Sequence, residues 1–109
     1  MRTLVLNVKG QSIYPNSPSD IGGLVAGTSG YVRVKFICSS DWNGCIKVAG
    51  FKSSNGVEFS PSTLDNDNSC IIPPEALAYH EFEIVLLGKN REYTINTRPI
   101  RIKQYGGIK

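Results

Sequence analysis

Catalytic and metal-binding side chains are scarce in this 109-residue chain. It has one histidine, His80, one tryptophan, Trp42, and three cysteines, Cys38, Cys45 and Cys70. General base and nucleophilic chemistry needs a base beside a nucleophile and a third group that orients it. A lone histidine leaves Cys70 with His80 as the one conceivable pair, and nothing in their spacing requires them to meet. Three cysteines are an odd number at no metal-like spacing, so no metal and no cofactor are expected, and no enzymatic activity. The expectation is three reduced thiols. A Cys38–Cys45 bridge is conceivable but is not indicated by the spacing. No run approaches the roughly 20 apolar residues of a membrane span. Residues 1–8 include Arg2 and Asn7 and lack the apolar core of a signal peptide. A soluble chain made in a cytoplasm, with no membrane partner, is expected. No helical periodicity extends beyond a turn or two.

Charge is also thin, at 19% of residues with a net +3, too little to argue for nucleic acid. It is unevenly placed. Residues 53–87 hold six acids and no Lys or Arg, whereas residues 89–109 hold six bases and one acid, Glu92. Opposite charges on neighbouring strands account for this pattern, and a basic docking face is the alternative. The C-terminal bases interleave with Tyr93 and Tyr105, as in a single-strand stacking groove. Yet Arg101 and Lys103 are the outward positions of a strand, so nucleic acid is not the expected partner.

What the chain does have is alternation. Val32, Val34, Phe36 and Cys38 share one face, with Arg33, Lys35 and Ile37 on the other. After a polar turn carrying Trp42, Ile46 and Val48 oppose Lys47, while Ala49 and Phe51 fall on the side of Lys47. The pattern reads as a hairpin with Trp42 at its junction, and either a bulge at Gly50 or burial of both faces would resolve the change of side. Residues 2–8 form a first, central strand, with residues 11–14 as a short continuation. Residues 15–20 are turn chemistry throughout and are expected to be mobile. Asn55-Gly56 is a hairpin signal, with a short strand over residues 57–59. Residues 70–72 form a strand stopped by Pro73-Pro74, and residues 75–78 one helical turn. In residues 80–87, Phe82, Ile84 and Leu86 face in. Gly88 to Asn90 turns the chain into residues 92–96, with Tyr93 and Ile95 inward. Ile100 and Ile102 mark a last strand, and residues 105–109 fray into a mobile tail. A single domain of seven to nine short strands is expected, an antiparallel, immunoglobulin-like β-sandwich or a small barrel. The expected core includes Phe36, Trp42, Phe51, Ile72, Leu77, Phe82 and Ile84.

Two further stretches invite ligand readings. Residues 65–69, Asp-Asn-Asp-Asn-Ser, resemble the front of a calcium loop but lack the glycine and terminal glutamate of an EF-hand, so a solvated turn is expected. The glycines of residues 21–30 are not followed by Gly-Lys-Ser/Thr and are read as turns. Ile37, Val85 and Leu87 fall on outward faces and, with Arg101 and Lys103, are the candidate interface.

The order of these motifs resembles a family. Leu-Val-Ala-Gly-Thr-Ser-Gly-Tyr precedes Val-Arg-Val-Lys-Phe. Asp-Trp-Asn-Gly-Cys-Ile-Lys-Val-Ala-Gly-Phe, Cys-Ile-Ile-Pro-Pro-Glu-Ala-Leu, Phe-Glu-Ile-Val-Leu-Leu-Gly and Tyr-Thr-Ile-Asn-Thr follow. This is similar to small immunoglobulin-like domains of tailed phages and prophages, namely the N-terminal domain of baseplate upper proteins and head-fibre or tail accessory proteins. The resemblance spans residues 2 to 105. It implies that Trp42, Phe51, Ile72 and Leu77 fill the two ends of a sandwich core, that Pro73 re-aims the chain, and that Gly88 permits a tight turn. It also implies a non-enzymatic virion protein that docks on other virion subunits in multiple copies or as a homo-oligomer. No fibre follows Lys109, which favours a decoration or adaptor subunit over a fibre anchor. Two other classes stay open. One is a phage-encoded intracellular binding protein directed at a host defence component. The other is a glycan-binding module in which Tyr14, Tyr31 and Tyr105 stack on sugars of the host surface.

Overall fold

A computed structural model describes residues 1–109. Ten strands form two sheets that pack face to face as a β-sandwich. The first sheet has the order β2-β1-β4-β7, built from β1 (Arg2–Lys9), β2 (Ser12–Pro15), β4 (Val32–Cys38) and β7 (Ser69–Ile71). The second runs β3-β10-β8-β5-β6, with β9 also on β8. Its strands are β3 (Leu24–Val25), β5 (Ile46–Ser53), β6 (Glu58–Thr63), β8 (Glu81–Lys89), β9 (Thr94–Asn96) and β10 (Ile100–Tyr105).

The inward alternation fills the space between the sheets. Leu4, Leu6, Val8, Val34 and Phe36 come from the first sheet, and Ala49, Phe51, Phe82, Ile84, Leu86 and Ile102 from the second; all are buried. At one end Trp42 is fully enclosed, and its Nε1–H donates to the Gly10 carbonyl at 2.9 Å. At the other end Ile72 and the one-turn helix α1 (Pro74–Leu77), through Ala76 and Leu77, close the core. Pro74 opens that turn, where its missing N–H costs nothing.

The structure departs from the sequence expectations at several places. The pairing is mixed, since β1 pairs with β4 in parallel and β10 with β3 in parallel. The strands flanking Trp42 are not a hairpin. β4 belongs to the first sheet and β5 to the second, and the connection through Trp42 crosses the sandwich. A seven-residue connection serves either geometry, and burial of the indole decides for the crossing.

Gly88 lies within β8 rather than in a turn. A Cβ there would sit 2.7 and 2.8 Å from Cζ3 and Cε3 of Trp42, so the residue is glycine because the indole rests on its backbone. The turn itself falls over Asn90 to Tyr93, where the Asn90 side chain accepts from the N–H groups of Glu92 and Tyr93 at 2.8 Å each. Tyr93 is not inward. It is half-exposed, with its hydroxyl donating to the Asp41 carbonyl at 2.6 Å.

The β5–β6 register does shift between Ala49 and Phe51. Ala49 to Phe51 spans two positions where the partner strand advances from Ser62 to Phe59, so the extra residue belongs to β6, near Pro61. Against β8 the register stays continuous through Gly50.

Both segments expected to be mobile carry hydrogen bonds. In residues 17–20 the Ser17 N–H and hydroxyl donate to Asp20 Oδ2 at 2.8 and 3.0 Å, and Arg2 Nη2 donates to the Ser19 carbonyl at 3.0 Å. The C-terminal tail returns to the body, with the Ile108 N–H donating to the Ala78 carbonyl and the His80 N–H to the Ile108 carbonyl.

Candidate docking surface

The phase of β5 determines which face of the second sheet points outward. Ala49, Phe51 and Ser53 are buried, so Ile46, Val48, Gly50 and Lys52 point away from the core. In antiparallel pairs, residues directly opposite share a face. Val48 is opposite Leu87, Gly50 opposite Val85, Lys52 opposite Glu83, and Arg101 also opposite Glu83. The outer face therefore divides along the strands into an apolar half (Ile46, Val48, Val85, Leu87) and a charged half (Lys52, Glu81, Glu83, Arg101, Lys103).

In the second half Arg101, Glu81 and Glu83 are engaged with one another. Arg101 Nε lies 2.9 Å from Glu81 Oε1, and its Nη2 donates to Glu83 Oε2 at 3.3 Å. Lys103 is opposite Glu81. The acidic and basic stretches of the sequence are thus neighbouring strands, and Arg101 holds β10 to β8 rather than standing free.

The apolar half is recessed at its centre. A Cβ at Gly50 would lie 2.9 Å from Val85 Cγ2 and 3.5 Å from Leu87 Cδ1, so these side chains lean over the glycine. A hollow of about 460 Å³ lies there, lined by Gly50, Pro61, Val85, Leu87 and Pro99 on its apolar side and by Lys52, Glu58 and Glu83 on its charged side. A second, of about 300 Å³, continues from Leu87 to Ile46, Val48, Lys89, Thr94 and Asn96. Ile46 is 70% exposed, while Val48, Val85 and Leu87 are half-buried. Contiguous apolar area at a sheet face that has no covering layer is the usual mark of a protein contact.

Of the expected interface residues, Val85 and Leu87 fall together on this surface. Ile37 does not join them. It is half-exposed on the outer face of the first sheet, across the sandwich. Sequence reasoning missed Ile46, Val48, Pro61 and Pro99. The conflict between Ile46/Val48 and Ala49/Phe51 was the available signal: both sets could not face the core, and the smaller, later pair does.

The remaining candidates are dispersed. Cys70 is buried opposite Val34, and burial pushes its thiol up to about 11, away from the nucleophilic thiolate. The His80 ring lies at the start of β8, with Nδ1 3.1 Å from the Ile108 carbonyl and Nε2 3.7 Å from Glu81, so both nitrogens face groups other than Cys70. In the 65–69 turn, Asp65 Oδ1 accepts from the Ser69 N–H and hydroxyl at 3.1 and 3.2 Å, and Arg33 donates to its Oδ2 at 2.9 Å. Hydrogen bonding with Asp67, then with the Ser69 backbone, lowers the Asp65 carboxyl to about 2. The turn's oxygens are spent on the turn. No three His, Cys, Asp or Glu side chains gather as a metal site. Tyr14 and Tyr31 lie towards opposite ends of β1, and Tyr105 ends a strand of the other sheet, so the three rings make no common platform. No helix is long and apolar enough to cross a membrane.

No protein-family model, curated protein or solved structure matches the chain.

Proposed function

We propose that the protein is a non-enzymatic docking subunit of a phage or prophage virion, a decoration, head-fibre, tail or baseplate accessory component. It binds an apolar, uncharged face of another virion subunit through the outer surface of its second sheet. The phage assignment rests on the resemblance of the sequence motifs. The docking mode rests on one observation: Ile46, Val48, Val85 and Leu87 form a contiguous apolar surface, while Arg101, Glu81 and Glu83 of the adjoining charged half pair among themselves. A partner that covered the charged half would have to replace those ion pairs, whereas the apolar half gains from losing water.

The magnitude favours a repeated contact. Three of the four side chains are already half-buried, so covering them yields on the order of 3–5 kcal/mol before the cost of association is deducted. That is a weak single contact. Many copies on a symmetric particle convert weak contacts into stable attachment.

The test is copurification with intact particles, using the wild type and Ile46→Asp. Ile46 is 70% exposed, so the charge leaves the fold intact, which circular dichroism checks. Wild type is expected in the particle fraction in fixed stoichiometry, and the variant in the free fraction. A protein abundant in producing cells but absent from intact particles overturns the assignment and favours an intracellular host-directed partner.

A further inference from the structure

The chain contains two Asn-Gly pairs, Asn43-Gly44 and Asn55-Gly56, and both lie in exposed turns. Glycine after asparagine leaves the backbone nitrogen open to the asparagine carboxamide, because no Cβ shields it. The dipeptide is the same in both places. The hydrogen bonds around it are not.

Asn55 is clamped. Ser53 is buried, and its hydroxyl donates to Asn55 Oδ1 while accepting from the Val57 N–H at 3.0 Å. The Gly56 N–H donates to the Ser53 carbonyl at 3.1 Å, and the Ser53 N–H to the Val57 carbonyl at 2.8 Å. The carboxamide and the nitrogen that follows it are thus both tied to Ser53. Asn43 has no such clamp. Neither its carboxamide nor the Gly44 N–H bonds to any group of the protein. Trp42 to Cys45 is a type II turn, with Asn43 at φ −64° and ψ 134° and Gly44 at φ 76°. One hydrogen bond closes it, from the Cys45 N–H to the Trp42 carbonyl at 3.2 Å. Nothing lies within 4 Å of a Cβ placed on Gly44, and the turn borders a hollow of about 440 Å³ shared with Asn90 to Tyr93, which gives water access.

We infer that Asn43 is a self-modification site, converting to aspartyl and isoaspartyl forms in the folded protein while Asn55 stays intact. The Asn43–Gly44 peptide rotates out of its turn, giving up only the 3.2 Å bond. Hydroxide takes the Gly44 amide proton, and the nitrogen bonds to Asn43 Cγ. The Cγ–Nδ2 bond breaks, and the amide leaves as ammonia with a proton from water. The resulting succinimide then takes up one water. Opening at the side-chain carbonyl gives aspartate at position 43. Opening at the backbone carbonyl gives isoaspartate, which routes the chain through an extra methylene between Trp42 and Cys45. One ammonia leaves, one water enters, and no electrons are transferred. Either product lowers the net charge of +3 by one. The inference does not depend on the virion reading.

The test ages the folded protein in mildly alkaline buffer, beside a sample unfolded in urea, and follows tryptic peptides 36–47 and 53–89 by mass. Conversion adds about 1 Da, and fragmentation separates Asn55 from Asn66 and Asn68. Digestion in heavy-oxygen water marks any conversion that arises during digestion. Folded, Asn43 is expected to convert at least about tenfold faster than Asn55, the ratio that follows from breaking roughly two further hydrogen bonds. Unfolded, the two sites convert at comparable rates, since the same residue follows each. Ser53→Ala, checked for folding by circular dichroism, is expected to speed Asn55 several-fold and leave Asn43 unchanged. Equal rates in the folded protein overturn the inference, as does a faster Asn55. An intact Asn43 over the time in which the unfolded chain converts overturns it as well.

Discussion

Replacing Gly88 by alanine tests the packing at the Trp42 end directly. The added Cβ would lie 2.7 and 2.8 Å from two indole carbons and 3.2 Å from Ile95 Cγ2. Unstrained carbon contacts lie near 3.5–4.0 Å, so the overlap is close to an ångström. The indole cannot move away freely. It is fully buried, and its N–H is committed to the Gly10 carbonyl at 2.9 Å. Overpacking of this kind costs about 1–3 kcal/mol, and loss of the hydrogen bond adds about 1 kcal/mol. The entropic gain of alanine over glycine returns about 0.5–1 kcal/mol. The expected net loss is about 1–3.5 kcal/mol, or roughly 4–16 °C in Tm for a domain of this size. Urea denaturation followed by circular dichroism measures it, and Trp42, the only tryptophan, reports separately on its own site. The decisive comparison is the same substitution in a Trp42→Leu background. With the indole gone, Gly88→Ala should cost less than about 0.5 kcal/mol, even though Trp42→Leu is itself destabilising. An equal cost in both backgrounds would refute the reasoning, because the penalty would then arise from something other than the ring.

Two smaller predictions concern the turn and the tail. The Asp65 carboxyl is lowered to about 2 in the folded chain, so its contribution to stability is complete above the ordinary carboxylate range near pH 4 and fades as pH falls towards 2. Asp65→Asn should flatten the acid limb of a Tm-against-pH curve in that window, and an unchanged limb would mean that other carboxylates set it. At Gly107 (φ 93°) a Cβ would meet the His80 nitrogen at 2.7 Å and the Ala26 Cβ at 2.8 Å. Gly107→Ala should release the tail, which would appear as faster hydrogen exchange at Ile108 and His80 with little change in global stability; protection equal to wild type would show the tail had accommodated the methyl.

Much of the core was legible because it lies in regular alternation. Val32, Val34 and Phe36, then Phe82, Ile84 and Leu86, then Ile100 and Ile102 all face inward as their period requires. The fold class follows from that pattern. What alternation cannot carry is which strand lies beside which. The connection through Trp42 has the length of a hairpin loop, and its local chemistry does not show that it crosses between sheets. The parallel pairing of β1 with β4 is likewise invisible to a local reading. On the outer surface Val85 and Leu87 were legible from the phase of β8, but Ile46 and Val48 were not, because β5 is apolar on both faces. The role of Gly88 was illegible for the same reason: the atom that demands glycine belongs to a residue 46 positions earlier in the chain.

The placement of β1 has a consequence for synthesis. Residues 2–8 of β1 each pair with one thirty positions later, from Arg2 with Val32 to Val8 with Cys38. Until Cys38 has left the ribosome, β1 has only β2 as a partner, and an isolated two-stranded hairpin is marginal in water. Leu4, Leu6 and Val8, all destined for the core, stay exposed for that interval. At about 5–20 residues per second the wait lasts a few seconds, long enough for a holdase chaperone or a neighbouring nascent chain to engage the strand. Yield in the host is therefore expected to depend on polar or apolar character at residues 3–8 more strongly than the stability of the finished domain does.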